Sequence, residues 1–278
     1  MELGAPGQGA SAAMVDVGWV GQVLPLIAAG FGVGLLVGLT GVGGGALMTP
    51  LLISTFGLSP QVAVGTDLLY ASITKTAGSW RHHVSDHVDW PIVMRLAAGS
   101  LPAAAVLLAA MAFLPVDMVQ LAHWIRMGLV VALPLSGLAI VLYPWLTRTA
   151  PRKDTGDVPP RTIPTVLFGV VLGLLVTLTS VGAGAIGVTV LAALYPMLPA
   201  KRLVGSDIAH AVPLTLVGGL GHFGLGNVDT SLLLVLLIGS IPGILIGARL
   251  AGLAPEWLLR PILTVMLCYA AWVLFNRG

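Results

Sequence analysis

Two acidic residues lie inside long apolar stretches, and both end the same short motif. Asp67 ends Val-Gly-Thr-Asp, and Asp207 ends Val-Gly-Ser-Asp. Acids inside a membrane are costly and indicate a functional site by default. An acid would repel an anion, so we expect these residues to couple protons or to hold a neighbouring helix break by hydrogen bonds. The alternative is an acid stabilised by the dipole at a helix start.

Lys75 and His210 lie in the same two stretches. Lys75 comes two turns after Asp67, and the equivalent position in the second stretch is Thr215. Its ammonium would either attract an anion or extend to the inner membrane surface, and we expect the second. His210 follows Asp207 by three residues on one helical face, as a buried core histidine or a proton relay. These four ionisable residues form the predicted coupling or structural group.

A glycine-rich segment precedes each acid, and its two copies are nearly identical. Residues 34–46 read GLLVGLTGVGGGA and residues 173–185 read GLLVTLTSVGAGA, with ten of thirteen positions the same. Each predicts a helix that stops at a glycine break, after which a new helix begins near Gly44 or Gly184. A helix start offers free N–H groups and partial positive charge, so a small anion fits there. The predicted anion-binding residues are Thr40, Gly41, Gly43, Gly44, Gly45, Thr66, Thr179, Ser180, Gly182, Gly184 and Ser206.

The elements that position these residues are apolar segments. The chain of 278 residues is 57% hydrophobic and only 9% charged, whereas soluble proteins carry about 25% charge. It is therefore a polytopic membrane protein. Five segments recur in each of two repeats, 21–146 and 163–278, between a polar tail at 1–20 and a polar linker at 147–162. The fold class is an all-α polytopic membrane protein with about 8–10 membrane segments.

The segment after each glycine break is shorter than the roughly 20 residues of a full crossing, so the first two segments of each repeat either both cross or form a re-entrant hairpin with the glycines at its tip. Both cases give each repeat an odd number of crossings, which predicts two inverted structural repeats. Nine Lys or Arg residues fall on one side and two on the other. The bias predicts a cytoplasmic linker and both termini outside. Gly30, Gly34 and Gly38 are spaced by four, as are Gly169 and Gly173, which predicts close helix packing.

Two further pairs of positions match between the repeats. Asp89 and Asp229 each precede a long segment and are predicted N-caps. Gly-Ser-Leu-Pro at 99–102 matches Gly-Ser-Ile-Pro at 239–242. The cluster HHVSDH at 82–87 could hold zinc if helical, but a solvated loop is the expected role, so no metal is predicted. No catalytic or nucleotide-binding motif is present, so neither an enzyme nor a cofactor is predicted.

The motifs LTGVGGGALMTPLL (39–52) and VGTDLL (64–69) together resemble the sulfite exporter TauE/SafE family, also called the toluene-sulfonate uptake permease family. The resemblance runs from about residue 27 to residue 275. It implies secondary transport of sulfite, organosulfonates or related small anions across the bacterial inner (plasma) membrane. The second copy has Ser180 and Ala183 in place of glycines, so whether both halves bind alike stays open.

The leading hypothesis is a secondary transporter of small sulfur-containing anions that works by alternating access, with export as the expected direction. Its predicted partners are the anion and the lipid bilayer, with no nucleic acid. The alternative is a non-transporting membrane assembly or partner protein, whose glycines would serve only packing. A metal-dependent intramembrane enzyme would need the HHVSDH cluster to hold metal.

Overall fold

The computed structural model describes residues 17–40, 45–84, 86–114, 117–148, 161–250 and 256–276, and these ranges are helical with no strand. The all-α prediction is confirmed. Of the predicted tail and linker, residues 1–16 and 149–160 lie outside the described ranges. The helices are α1 (Val17–Thr40), α2 (Gly45–Ser54), α3 (Pro60–Val84), α4 (Trp90–Phe113), α5 (Met118–Arg148), α6 (Thr162–Thr179), α7 (Ala185–Leu194), α8 (Ala200–Gly224), α9 (Thr230–Leu250) and α10 (Glu256–Asn276).

Helix length separates two groups of elements. Among the described residues, seven helices are long and apolar enough to cross a membrane: α1, α4, α5, α6, α8, α9 and α10. The helices after the breaks, α2 and α7, have ten residues each. At 1.5 Å per residue each is about 15 Å long, which is half of a bilayer core. The prediction of a short post-glycine segment is confirmed in both repeats.

α1 packs on α9 through glycines. A Cβ on Gly30 would overlap the backbone of Leu236, and a Cβ on Gly34 would overlap the backbone of Ser240. The four-residue spacing places both glycines on one face, where the missing side chains let the backbones touch. Because the two contacts advance in the same order along both helices, α1 and α9 run parallel.

The same contact recurs between α6 and α4. Gly169 lies against the backbone of Leu96, and Gly173 lies against the backbone of Ser100. These are the repeat equivalents of the α1–α9 contacts, so the first helix of each repeat packs on the fourth helix of the other. The predicted packing role of these glycines is confirmed.

α3 and α8, which are equivalent helices, run antiparallel. Near the start of α3, the Thr66 hydroxyl contacts the backbone N–H of Asp229, which follows α8. Near the start of α8, the Ser206 hydroxyl contacts the N–H of Asp89, which follows α3. Each helix therefore begins where the other ends.

α5 and α10 form a second antiparallel pair of equivalent helices. The Thr264 hydroxyl donates to the Gly137 carbonyl at 3.2 Å, and the Arg260 guanidinium lies 5.8 Å from the centroid of the Tyr143 ring. An inverted repeat requires antiparallel equivalents. The orientation of the two repeats in the membrane stays a prediction.

Candidate functional site

The second helix break, residues 180–184, is buried. α6 ends at Thr179, and Ser180 follows in the left-handed region with φ of 59°. Gly182 and Gly184 both have φ of 125°, a region that side chains disfavour, and α7 begins at once after them. The negative end of α6 and the positive end of α7 therefore meet at one buried place.

The first break lies mostly outside the described residues. Gly41, Gly43 and Gly44 fall there, whereas Thr40 ends α1 and Gly45 begins α2. The structure therefore places only the two edges of this predicted half-site.

The two threonines that precede the breaks bond in the same way. The Thr40 hydroxyl donates to the Leu36 carbonyl at 2.7 Å, and the Thr179 hydroxyl donates to the Leu175 carbonyl at 2.6 Å. Thr179 also accepts a hydrogen bond from the Val181 N–H at 3.2 Å. Both hydroxyls thus close the last turn of their own helix, and their protons point back along it.

The two acids are fully buried. One oxygen of Asp67 accepts a hydrogen bond from the Thr49 hydroxyl on α2. Asp207 lies against α7, where its carboxylate fills the space that a Cβ on Gly187 would need. Within the described ranges, Asp67 Oδ1 and both Asp207 oxygens have no hydrogen bond of good geometry. Each acid thus faces the short helix of its own repeat.

Lys75 joins the two halves at this place. Its ammonium is buried and donates to the carbonyl of Ala183, within the second break, at 3.1 Å. It also interacts electrostatically with Asp207 and Asp67. The expectation that Lys75 extends to the inner surface is therefore wrong. The Ala183 carbonyl inside the protein replaces the water that the ammonium would otherwise bind at the membrane surface, and the charges of the two carboxylates stabilise the ammonium there.

The hydroxyls of Thr66 and Ser206 serve the connection between helices. Thr66 accepts a hydrogen bond from the Asp229 N–H at 3.1 Å, and Ser206 accepts one from the Asp89 N–H at 2.8 Å. Both side chains are fully buried, and each residue directly precedes its acid in the sequence. In each Val-Gly-Thr/Ser-Asp motif, the hydroxyl thus contacts the start of a long helix of the other repeat. The carboxylate of the same motif faces the short helix of its own repeat.

Asp89 and Asp229 cap these long helices. Asp89 accepts from the Ile92 N–H at 3.2 Å, and Asp229 accepts from the Leu232 N–H at 3.0 Å. Hydrogen bonds from Leu232 and Ser231 lower the pKa of Asp229. The two predicted N-caps are confirmed.

A histidine–serine contact was not predicted. His210 Nε2 lies 2.7 Å from Ser100 Oγ, so its partner is on α4 and is not Asp207. At the equivalent place in the first repeat, Tyr70 lies beside Ser240. The matched Gly-Ser-x-Pro motifs carried the signal for these serines, because polar residues that recur inside two apolar helices need polar partners.

In the HHVSDH cluster, the His82 side chain and Ser85 lie outside the described part of the chain, and two other members make separate contacts. The His83 ring meets the Trp90 ring edge-on, and Asp86 pairs with Arg202 at 3.4 Å on the surface. Among the described residues, no three His, Cys, Asp or Glu side chains come together as a metal site. The Asp86–Arg202 pair places the loop after α3 beside the start of α8, and both are predicted on the inner side.

Comparison with known proteins gives consistent matches. A family model described as sulfite exporter TauE/SafE matches residues 26–274. The chain is 39% identical to "Probable membrane transporter protein YjnA" of Bacillus subtilis (strain 168) over 244 residues, which cover 87% of this chain and 94% of that protein. It is 27% identical to "Probable membrane transporter protein YdhB" of the same organism, over 83% and 91% of the two chains. It is 29% identical to "Probable membrane transporter protein MJ0441" of Methanocaldococcus jannaschii, over 74% of each chain. No solved structure matches it.

Proposed function

Because this chain belongs to the sulfite exporter TauE/SafE family, we propose that it carries sulfite, an organosulfonate or a related small sulfur-containing anion across the bacterial inner (plasma) membrane. The protein is a membrane transporter of that type. We propose further that it is a secondary transporter, that export is its direction, and that it works by alternating access.

The observation that carries this proposal is the buried break at residues 180–184. There the start of α7 carries a partial positive charge, and its backbone N–H groups, of which that of Gly184 lies beside the Asp207 carboxylate, would face an anion. The Ser180 hydroxyl is buried and lies beside the Asp67 carboxylate, without a hydrogen bond of good geometry among the described residues. A buried hydroxyl without a good hydrogen bond costs free energy unless a ligand bonds with it, so this hydroxyl supports a binding role for the break.

The proposed anion site extends across both breaks. It comprises Thr40, Gly41, Gly43, Gly44 and Gly45 from the first, and Thr179, Ser180, Gly182 and Gly184 from the second. Thr66 and Ser206 would act beside it, because their observed hydrogen bonds fix the starts of α9 and α4. The positive charge of Lys75 would lower the electrostatic free energy that is needed to bring an anion close to two carboxylates.

The contacts between the repeats favour a rocking motion over local loop opening. α1 with α9, and α6 with α4, are locked by glycines at backbone contact, so each pair would move as one body.

The predicted topology remains part of the proposal. The Asp86–Arg202 pair supports it, because it brings two loops predicted to be cytoplasmic to one end of the molecule. Both termini would then be outside. Cysteine labelling at residue 153, in the linker, would react only from the cytoplasmic side; labelling from outside would refute this orientation.

The test of function is flux into proteoliposomes that hold the purified protein. Sulfite, sulfate, thiosulfate and a small sulfonate would each be tested with and without a pH gradient. We expect saturable flux of sulfite or the sulfonate that responds to the gradient. Folded protein that moves none of these anions would refute the proposed substrate class and favour a non-transporting partner protein.

A further inference from the structure

A fully buried histidine lies at the end of α8, outside the residues assigned to the anion site. His222 is in the last turn of α8, and its Nε2 lies 3.0 Å from the backbone carbonyl of Thr177 on α6. A carbonyl only accepts hydrogen bonds, so this bond requires a proton on Nε2. The histidine thus bonds α6 three residues before Ser180 opens the second break.

The Thr177 carbonyl needs this donor because α6 ends beside it. In an unbroken helix it would accept a hydrogen bond from the N–H of Val181. That N–H donates instead to the Thr179 hydroxyl, at 3.2 Å. The last carbonyls of a helix have no partner within that helix, and a carbonyl buried without a donor costs free energy. His222 is therefore a cap for α6 that another helix supplies.

The same end of α8 lies against the Val-Gly-Thr-Asp motif of α3. A Cβ on Gly65 would lie 2.9 Å from the His222 Cβ and would overlap the Asn227 carbonyl oxygen. Shortly after, the Asp229 N–H donates to the Thr66 hydroxyl at 3.1 Å. The end of α8 and the residues that follow it thus contact the acid motif of the first repeat on one side and the end of α6 on the other.

We propose that His222 is a positioning residue that fixes the second break relative to the acid motif of the first repeat, through the Thr177 carbonyl. The inference rests on the proposed function, since it assigns a residue that shapes the anion site at residues 180–184. His222 does not touch the anion; it sets the place of the end of α6 and of the Ser180 hydroxyl that follows. The order of the break can be measured without any anion, so this inference and the proposed function fail separately.

The test is hydrogen–deuterium exchange of the purified protein, read by mass spectrometry in peptides that cover residues 176–186. His222→Gln keeps an N–H donor at about the reach of Nε2, whereas His222→Leu has no donor. We expect exchange in this segment to rise roughly 10-fold or more in His222→Leu, because a buried carbonyl that loses its partner favours local opening. His222→Gln should stay near the wild-type rate. Peptides from residues 162–170, at the start of α6, should not change in either variant.

Sulfite flux in proteoliposomes separates positioning from simple stabilisation. We expect His222→Leu to raise the KM for sulfite roughly 10-fold, with a smaller change in the maximal rate and an unfolding temperature within a few degrees of the wild type. His222→Gln should restore the KM. His123→Leu, which removes an exposed histidine on α5, is the matched control and should change neither exchange nor KM.

The link with the first repeat has its own variant. Thr66→Val keeps the shape of the side chain and removes the oxygen that accepts from the Asp229 N–H. Exchange at residues 176–186 should rise in this variant too, although Thr66 is not part of α6. Combining Thr66→Val with His222→Leu should add little to His222→Leu alone, because both changes act through one bond. Two effects that simply multiply would show that the motif and the break are not linked.

Other results would overturn the positioning role itself. Wild-type exchange in a folded His222→Leu protein would show that the Thr177 carbonyl does not need His222. Equally raised exchange in His222→Gln and His222→Leu would show that the donor is not what matters. If His222→Leu does not fold, His222→Asn replaces it, because its amide is too short to reach Thr177. Failure of both to fold, while His222→Gln folds, would show a role in folding and not in positioning.

Discussion

Replacing Gly187 with alanine would move the Asp207 carboxylate without adding or removing a charge. A Cβ at this position overlaps a carboxylate oxygen of Asp207. The carboxylate ends a flexible side chain, so it moves in preference to the backbone, by a distance on the order of 1 Å to reach van der Waals contact. Alanine in a helix gains about 1 kcal/mol over glycine, and overpacking costs about 1–3 kcal/mol. The net loss of about 0–2 kcal/mol should leave the protein folded.

Transport should respond more strongly than stability. A displacement of about 1 Å in a functional group can cost about 10²-fold in rate. We expect Gly187→Ala to lower flux in proteoliposomes roughly 10- to 100-fold, at equal protein content, with an unfolding temperature within a few degrees of the wild type. The measurement uses whichever anion the wild type carries.

Gly32→Ala is the matched control. Gly32 is also helical, and a Cβ there would meet nothing within 4 Å. This variant should keep full flux and unfold at the same temperature or slightly higher. Wild-type flux in a folded Gly187→Ala protein would refute the reasoning, because the position of the Asp207 carboxylate would then not matter to transport.

Three further variants test other parts of the molecule. Gly34→Ala should destabilise the protein by about 1–3 kcal/mol, because the methyl group meets the Ser240 backbone; an unfolding temperature equal to that of Gly32→Ala would argue against the contact. Asp67→Asn should change the pH dependence of flux, and an unchanged pH–rate curve would exclude Asp67 as a coupling group. Asp229→Ala should cost about 1 kcal/mol by removing the cap of α9. Because the pKa of Asp229 is lowered on folding, that cost should be present above about pH 4 and should vanish as the pH falls and protonates the wild-type acid, which unfolding at pH 7 and pH 3 would compare.

Local patterns predicted the features that depend on one segment at a time. The glycines spaced by four, the N-cap acids and the breaks after Thr40 and Thr179 all follow from backbone requirements within a few residues. The duplicated motif also made the second copy a check on the first. These features recur at the predicted positions among the described residues, which include only the two edges of the first break.

The direction of Lys75 could not be predicted in this way. The sequence of α3 alone shows a lysine in an apolar helix, and such a lysine is expected to extend its ammonium to the membrane surface, where water solvates it. The acceptor that it uses belongs to the other repeat, 108 positions away. The same holds for His210, whose partner Ser100 lies on α4. The spacing of residues along one helix shows on which face of the helix a side chain lies. The group that packs against that face depends on how the two repeats pack together.

The crossed packing of first and fourth helices has a consequence for synthesis of the chain. Gly34 and its contact at Ser240 are 206 positions apart (240 − 34), so α1 enters the membrane long before α9 exists. At about 5–20 residues per second, the delay is roughly 10 to 40 s. During that time the glycine face of α1 is covered by lipid tails, which costs little because lipid is as apolar as the helix that replaces it. α1 therefore waits in the bilayer without its α9 partner, and this contact of the native fold forms only when the last quarter of the chain arrives.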